Sequence, residues 1–192
     1  MKRIAILVPA IVVVLLLTPL AQAACTTYHC RVGNCPWLQL ILDEGFTTPS
    51  CPSWTFTGGA SRSSGPMCSW TNEPYAQIMY LGGFLHTGTV YQTVTTIGDS
   101  TGYDDFDFNY TIETDSLAPG DTIKVTITDL TTGIVKTTDT FGAEMWCNSV
   151  SHEYLSAGWK GHQVRVKFAA TLSDPATVVK VTGVDLWQHV TY

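Results

Sequence analysis

Period-two alternation of apolar and polar residues constrains this chain more than any other feature. Phe106, Phe108, Tyr110 and Ile112 fall on one side of an extended segment, and Asp107, Asn109 and Thr111 fall on the other. Val125 and Ile127 alternate with Lys124, Thr126 and Thr128, and Val164, Val166 and Phe168 alternate with Arg165 and Lys167. A helix cannot gather such a set on one face; a strand with one side against a core does so automatically. Thr131-Thr132-Gly133, between the apolar-periodic runs 123–130 and 134–138, predicts a tight hairpin, and Ala118-Pro119-Gly120-Asp121 predicts a turn between strands. No window of a dozen residues carries a helical stripe. The expected architecture is all-β, a two-sheet antiparallel sandwich or barrel of nine or ten short strands. Residues 58–74 are rich in Gly and Ser and read as a loop with an aromatic tip at Met67-Cys68-Ser69-Trp70.

The first residues form a separate unit. Lys2 and Arg3 give a basic head, residues 4–17 are apolar apart from one proline, and Ala21-Gln22-Ala23 supplies small residues for cleavage. This is the pattern of a secretory signal over residues 1–23. An uncleaved membrane anchor and a lipid anchor on Cys25 are the alternatives; the latter wants an aliphatic residue where Gln22 stands. The expected location is extracellular or at the cell surface, with no membrane insertion after cleavage.

Export suits the six cysteines, Cys25, Cys30, Cys35, Cys51, Cys68 and Cys147, all of which lie beyond the signal. An even set in an oxidising compartment reads as a disulfide framework, and their gaps do not match a zinc knuckle. Cys51 to Cys68 is the preferred bridge, because the residues between them read as strand, turn and loop. Residues 24–36 are a cysteine-rich lead expected to clamp the N-terminus, and residues 37–192 form one domain, long enough for a sizeable core. The whole chain has a formal net charge of −6. Without Lys2 and Arg3, eight basic residues face sixteen acidic ones, about −8, which argues against nucleic acid and anionic membrane surfaces as partners.

The order of motifs resembles the jelly-roll superfamily that includes galactose-binding-like domains and many carbohydrate-binding modules. Leu42-Asp43-Glu44-Gly45-Phe46 is similar to the opening of such modules, followed by Trp54, Gly58 and Gly59. Val90-Tyr91-Gln92-Thr93-Val94 is like their Gln-Thr-Val strand, and Asp105-Phe106-Asp107-Phe108 like the start of their central strand. The run from Leu155 through Trp159 to Phe168 resembles their turn-plus-strand, and Val181-Thr182-Gly183-Val184-Asp185-Leu186 their closing strand. The resemblance spans roughly residues 42–188 and implies a jelly-roll sandwich, disulfide-stabilised here, that binds carbohydrate. It also implies a structural calcium ion between the opening and closing segments. The closing-strand places where an aspartate is expected hold Thr182 and Gly183, leaving Asp43, Glu44 and a late Asp185 as possible ligands for a hard, oxygen-seeking cation.

The residues themselves offer rings rather than reactive groups. Serine nucleophile elbows, paired metal histidines and phosphate loops are absent from the sequence, and His29, His86, His152, His162 and His189 are scattered. Asp99, Asp104, Asp105 and Asp107 read as a solvated turn before they read as a cation site or a glycosidase pair. Six tryptophans are present; Trp54 and Trp187 sit in strand-like patterns and are expected in the core, with Trp37 under the cysteine lead. Trp70, Trp146 and Trp159 lie in or beside turns, where a flat ring covers the apolar face of a sugar while neighbours take its hydroxyls. The candidate ligand-binding residues are therefore Trp70, Glu73, Tyr75, Gln92, Asn109, Trp146 and Trp159. The leading expectation is a secreted, non-catalytic module for carbohydrate or a similar glycan. The second is a structural or adhesive surface protein using the same sandwich for protein contacts.

Overall fold

The structure is a computed structural model and describes residues 37–47, 53–83, 86–98, 105–155 and 158–189. The signal segment, the cysteine lead, Cys25, Cys30, Cys35, Cys51, Asp99 and Asp104 lie outside the described residues. Eleven strands are present among the described residues: β1 Trp37–Gln39, β2 Thr55–Thr57, β3 Ala60–Met67, β4 Trp70–Met79, β5 His86–Thr95, β6 Phe106–Asp115, β7 Thr122–Asp129, β8 Ile134–Phe141, β9 Asn148–His152, β10 Gln163–Leu172 and β11 Val178–His189.

They form two antiparallel sheets. One, sheet A, has the order β3-β4-β11-β6-β9, with β1 also beside β11; the other, sheet B, has the order β2-β5-β10-β7-β8. The long strand β11 takes β4 along its first half and β1 along its second, because Val178–Val181 pair with β4 and residues 187–189 pair with β1. Between these halves the register with β6 shifts at Thr182/Asp185, where Gly183 adopts a positive φ of 58°. Such a bulge turns one extra residue out of the alternation.

The alternating segments bury the faces expected of them. Phe106, Phe108, Tyr110 and Ile112 of sheet A meet Val125, Ile127, Val164, Val166 and Phe168 of sheet B in one core. Tyr110 stands edge-on to Phe168 at 5.2 Å between ring centres, joining the two layers. The predicted turns are present: Asp121 N–H donates to the Ala118 carbonyl at 3.0 Å, and residues 130–133 connect β7 to β8. The region 58–74 is not a loop. Residues 60–67 and 70–74 lie in the β3–β4 hairpin, and Gly59, in the turn between β2 and β3, sits so close to the end of β4 that a Cβ there would come within 1.9 Å of the Met79 carbonyl oxygen.

Candidate functional site

The cysteines place the first part of the site. Cys68 is joined to Cys147, with 4.9 Å between their Cα atoms, which corrects the expected Cys51–Cys68 bridge. Met67 pairs with Trp70, so Cys68 and Ser69 form the two-residue tip of the β3–β4 hairpin, and both have positive φ, 54° and 71°. That is a mirror-image turn, which favours Asn and Gly and disfavours these side chains. Three interactions hold it. The Cys68 N–H donates to a Glu113 carboxylate oxygen at 2.6 Å, the bridge ties it to the segment before β9, and Met67 and Tyr75 pack with the sulfurs as a small second core. Lys180 neutralises Glu113 at 2.8 Å and Asp115 at 2.9 Å and donates to the Pro66 carbonyl. Burial works against the Lys180 charge, but the two carboxylates outweigh it and its pKa is raised.

The hairpin tip is therefore bound to the β6–β9 side of sheet A, and two tryptophans flank the bridge. Trp70 follows Cys68 by two residues and is 49% exposed; Trp146 precedes Cys147 and is 71% exposed. With the Cα spacing of a trans chain, their Cα atoms are at most about 16 Å apart. Below them, the outer face of β6 and β9 is a hydroxyl and amide floor. The Ser151 hydroxyl donates to the Asn109 side-chain amide oxygen at 2.6 Å, and the Thr111 and Ser149 hydroxyls lie 3.2 Å apart. At the far end of β9, Tyr154 is 68% exposed on a positive φ of 55°, and its N–H donates to Asp107 at 3.0 Å. Exposed rings thus stand at both ends of a polar strand pair.

A second polar group lies where β1, the 43–46 turn and the β11 bulge converge. Although Asp185 stands late in sequence, the bulge turns it outward to Glu44, and the Val184 N–H donates to the Glu44 carbonyl at 3.1 Å. The Gln39 carboxamide nitrogen lies between the two carboxylates, 2.7 Å from Asp185 and 3.0 Å from Glu44. Its orientation is fixed, because the Gln39 carbonyl oxygen accepts from Leu186 N–H at 2.9 Å and Ile41 N–H at 3.2 Å. Asp43 faces elsewhere, towards Arg62. Calcium requires several converging oxygens, whereas this centre presents N–H donors to both carboxylates. The residues present do not fit the implied ion, and among the described residues no cluster of three or more His, Cys, Asp or Glu is arranged to hold a metal. Burial, then the Glu44 carboxylate, pushes the Asp185 carboxyl up to about 7, against the opposing hydrogen bonds from Trp187 and Gln39.

The remaining candidates separate clearly. Glu73 is exposed on β4, close in sequence to Trp70. Tyr75 is 6% exposed and belongs to the small second core. Gln92 does not face a ligand: it points between the sheets, accepting from Leu42 N–H and donating to the Leu42 carbonyl, both at 2.8 Å. Trp159 is fully buried against Phe106, at 4.9 Å between rings, and is corrected from ligand contact to core. Trp54 is core as expected, but Trp187 lies on the outer face of sheet A. Sequence reasoning missed Tyr154, whose signal was a lone aromatic after a strand, and Gln39, which no motif marked. It also missed the Asp139 carboxylate, which accepts from Tyr110 and meets His152, both at 2.8 Å, at the β8–β9 edge.

No protein-family model matches this chain, and no curated protein matches it. Solved structures do match its fold. A carbohydrate-binding module, TmCBM61, in complex with β-1,4-galactotriose aligns with a TM-score of 0.54 at 10% identity, over 77% of this chain and 97% of that one. A carbohydrate-binding module of the β-sandwich superfamily with promiscuous specificity aligns with a TM-score of 0.52 at 11% identity; 75% of this chain spans 60% of that one. A Stig cyclase from Fischerella sp. TAU aligns with a TM-score of 0.52 at 11% identity, over 80% and 98% of the two chains. The chain has the disulfide-linked jelly-roll β-sandwich fold of carbohydrate-binding modules, a fold that also serves enzymes.

Proposed function

We propose that this protein is a secreted, non-catalytic module that binds a glycan on the outer face of sheet A. The observation that carries this reading is the disulfide-anchored pair of exposed tryptophans, Trp70 and Trp146, beside the hydroxyl and amide floor of β6 and β9. Exposed indole is costly in water, and the strained, positive-φ tip is the kind of backbone that persists where surrounding structure enforces it, often at functional sites. Rings cover the C–H face of a sugar while Asn109, Ser149 and Ser151 take hydroxyls; Tyr154 offers a further ring along the same strand. The signal-like first residues and a disulfide support export. The carbohydrate-binding fold neighbours support a sugar ligand, and the two-carboxylate geometry of a glycosidase is not what this floor offers.

The test is a tryptophan-fluorescence titration, beginning with β-1,4-galactan and extending over a panel of neutral plant and bacterial glycans. A saturable spectral shift is expected, lost in Trp146→Ala and in Trp70→Ala while both variants keep the wild-type unfolding midpoint to within a few degrees. Silence across the panel overturns the reading.

A further inference from the structure

The charges on this chain are segregated by sheet. The outward positions of sheet B, read from its register, carry Arg165 and Lys167 on β10 and Lys124 on β7, and Lys136 is exposed in the β8 bulge. No Asp or Glu occupies an outward position on its five strands: Asp129 and Asp139 both face inward, to His162 and to Tyr110. The other outward positions are mostly threonines, with Tyr91 at the centre. Lys124, Lys136 and Lys167 have no ion pair among the described residues, and Arg165 lies over the Tyr91 ring at 4.6 Å while donating to the Thr93 hydroxyl. Four cations without a neighbouring acid repel one another, on a chain whose net charge is −6. Sheet A, by contrast, turns out Asp107, Glu113, Asp115 and Asp185.

We infer that the outer face of sheet B binds an acidic polysaccharide, one carrying carboxylates along its chain, at a site separate from the Trp70–Trp146 platform. Register and strand spacing set the geometry. Arg165 and Lys167 are two residues apart on β10, about 7 Å along the strand, and Lys124, opposite Ala169 on the neighbouring strand, lies diagonally about 7–8 Å from Lys167. Threonine hydroxyls fill the intervals, and Thr57 bonds Thr89 as Thr87 meets Thr171 across strands, giving a rigid surface of donors and acceptors. A carboxylate takes its place beside each cation, and the sugar hydroxyls between carboxylates meet threonine.

Other polyanionic occupants fit less well. Duplex DNA carries a charge every ~1.7 Å of its length, far denser than this row, and the one central ring, Tyr91, is covered by Arg165 rather than free to stack. The outward acids of β6 and β11 in a second copy are already engaged, because Lys180 meets Glu113 and Asp115, Gln39 meets Asp185, and Tyr154 N–H meets Asp107.

The experiment compares polygalacturonate with its fully methyl-esterified form, which has the same backbone without charge, by calorimetry and affinity electrophoresis at low and moderate salt. Polygalacturonate is expected to bind the wild-type protein, weakening several-fold as salt rises, and the ester is expected not to bind this face. Lys124→Glu with Lys167→Glu, both at outward positions, is expected to weaken polygalacturonate binding about tenfold or more, with unfolding midpoint and β-sheet circular dichroism retained. Trp146→Ala is expected to leave it unchanged, so that failure of the aromatic platform and failure of this face are read separately. Equal binding of acid and ester, unchanged affinity in the double variant, or tighter binding of duplex DNA overturns the inference.

Discussion

The carboxamide nitrogen of Gln39 lies 2.7 Å from a carboxylate oxygen of Asp185, although 146 positions separate them in the chain. The same nitrogen reaches Glu44, so a neutral side chain stands between two acids and ties β1 to β11. On this arrangement the junction is expected to need no added cation and to be sensitive to the charge on residue 39.

Replacing Gln39 by Glu converts two N–H donors into a third carboxylate. Gln39→Glu is expected to unfold several degrees below wild type at neutral pH without metal, because like charges then share a part-buried centre. Millimolar calcium is expected to restore it by mass action while leaving the wild-type midpoint unmoved. Differential scanning fluorimetry with calcium or chelator reads both effects; a calcium-dependent rise in the wild-type midpoint contradicts the donor arrangement.

The raised Asp185 carboxyl gives a pH signature. Its folded-state value of about 7 lies above the ordinary carboxylate value near 4, so the fold favours the protonated form. The resulting stability is fully present below about pH 4 and is lost as pH rises through about 7. Asp185→Asn is therefore expected to match wild type near pH 4 and to exceed it at pH 8. Urea denaturation at the two pH values checks this, and a variant that is less stable than wild type at pH 8 contradicts it.

The Cys68–Cys147 bridge closes a loop with a sequence separation of 79. On the chain-entropy argument, its removal costs about 4.5 kcal/mol. Reduction, or Cys68→Ser with Cys147→Ser, is expected to lower the denaturant midpoint accordingly. It is also expected to release the hairpin tip and weaken the tryptophan response to glycan, even under conditions where the protein remains folded. Retained glycan affinity in folded, reduced protein argues against a platform held by the bridge.

Trp159 separates core from site. Its ring is wholly buried, while its indole nitrogen has no hydrogen-bond partner among the described residues. Trp159→Ala is expected to cost about 3–5 kcal/mol through the cavity it leaves, whereas Trp159→Phe sacrifices no hydrogen bond and is expected to be milder. Chemical denaturation of both variants provides the comparison, with neither altering the sugar response of the folded protein.

The layers and their core were legible because Phe106–Ile112, Val125–Ile127 and Val164–Phe168 alternate without interruption. Gln92 was misassigned for a reason the same pattern contains: it shares its phase with Val90 and Val94, and phase placed it inward even though it is polar. The β3–β4 hairpin hid behind Gly, Ser and Pro, residues that signal loops locally, although Ser61, Ser63, Ser64, Gly65 and Pro66 all stand in β3. Asp185 appeared displaced because a bulge adds a residue, and residue counting cannot register that. Trp70 and Trp146 were each visible as aromatic residues near turns. That they flank one bridge was not, since their proximity depends on a disulfide between distant segments, which sequence does not rank.

In both sheets, the central positions belong to the latest of the described strands. β10 sits between β5 and β7, and β11 sits between β4 and β6. During N-to-C synthesis each layer therefore has an open slot until residues beyond 163 have emerged, and earlier strands wait as unpaired halves. A synthetic peptide covering the last two strands is accordingly a natural complement for a truncated chain, in the manner of a keystone added after the arch.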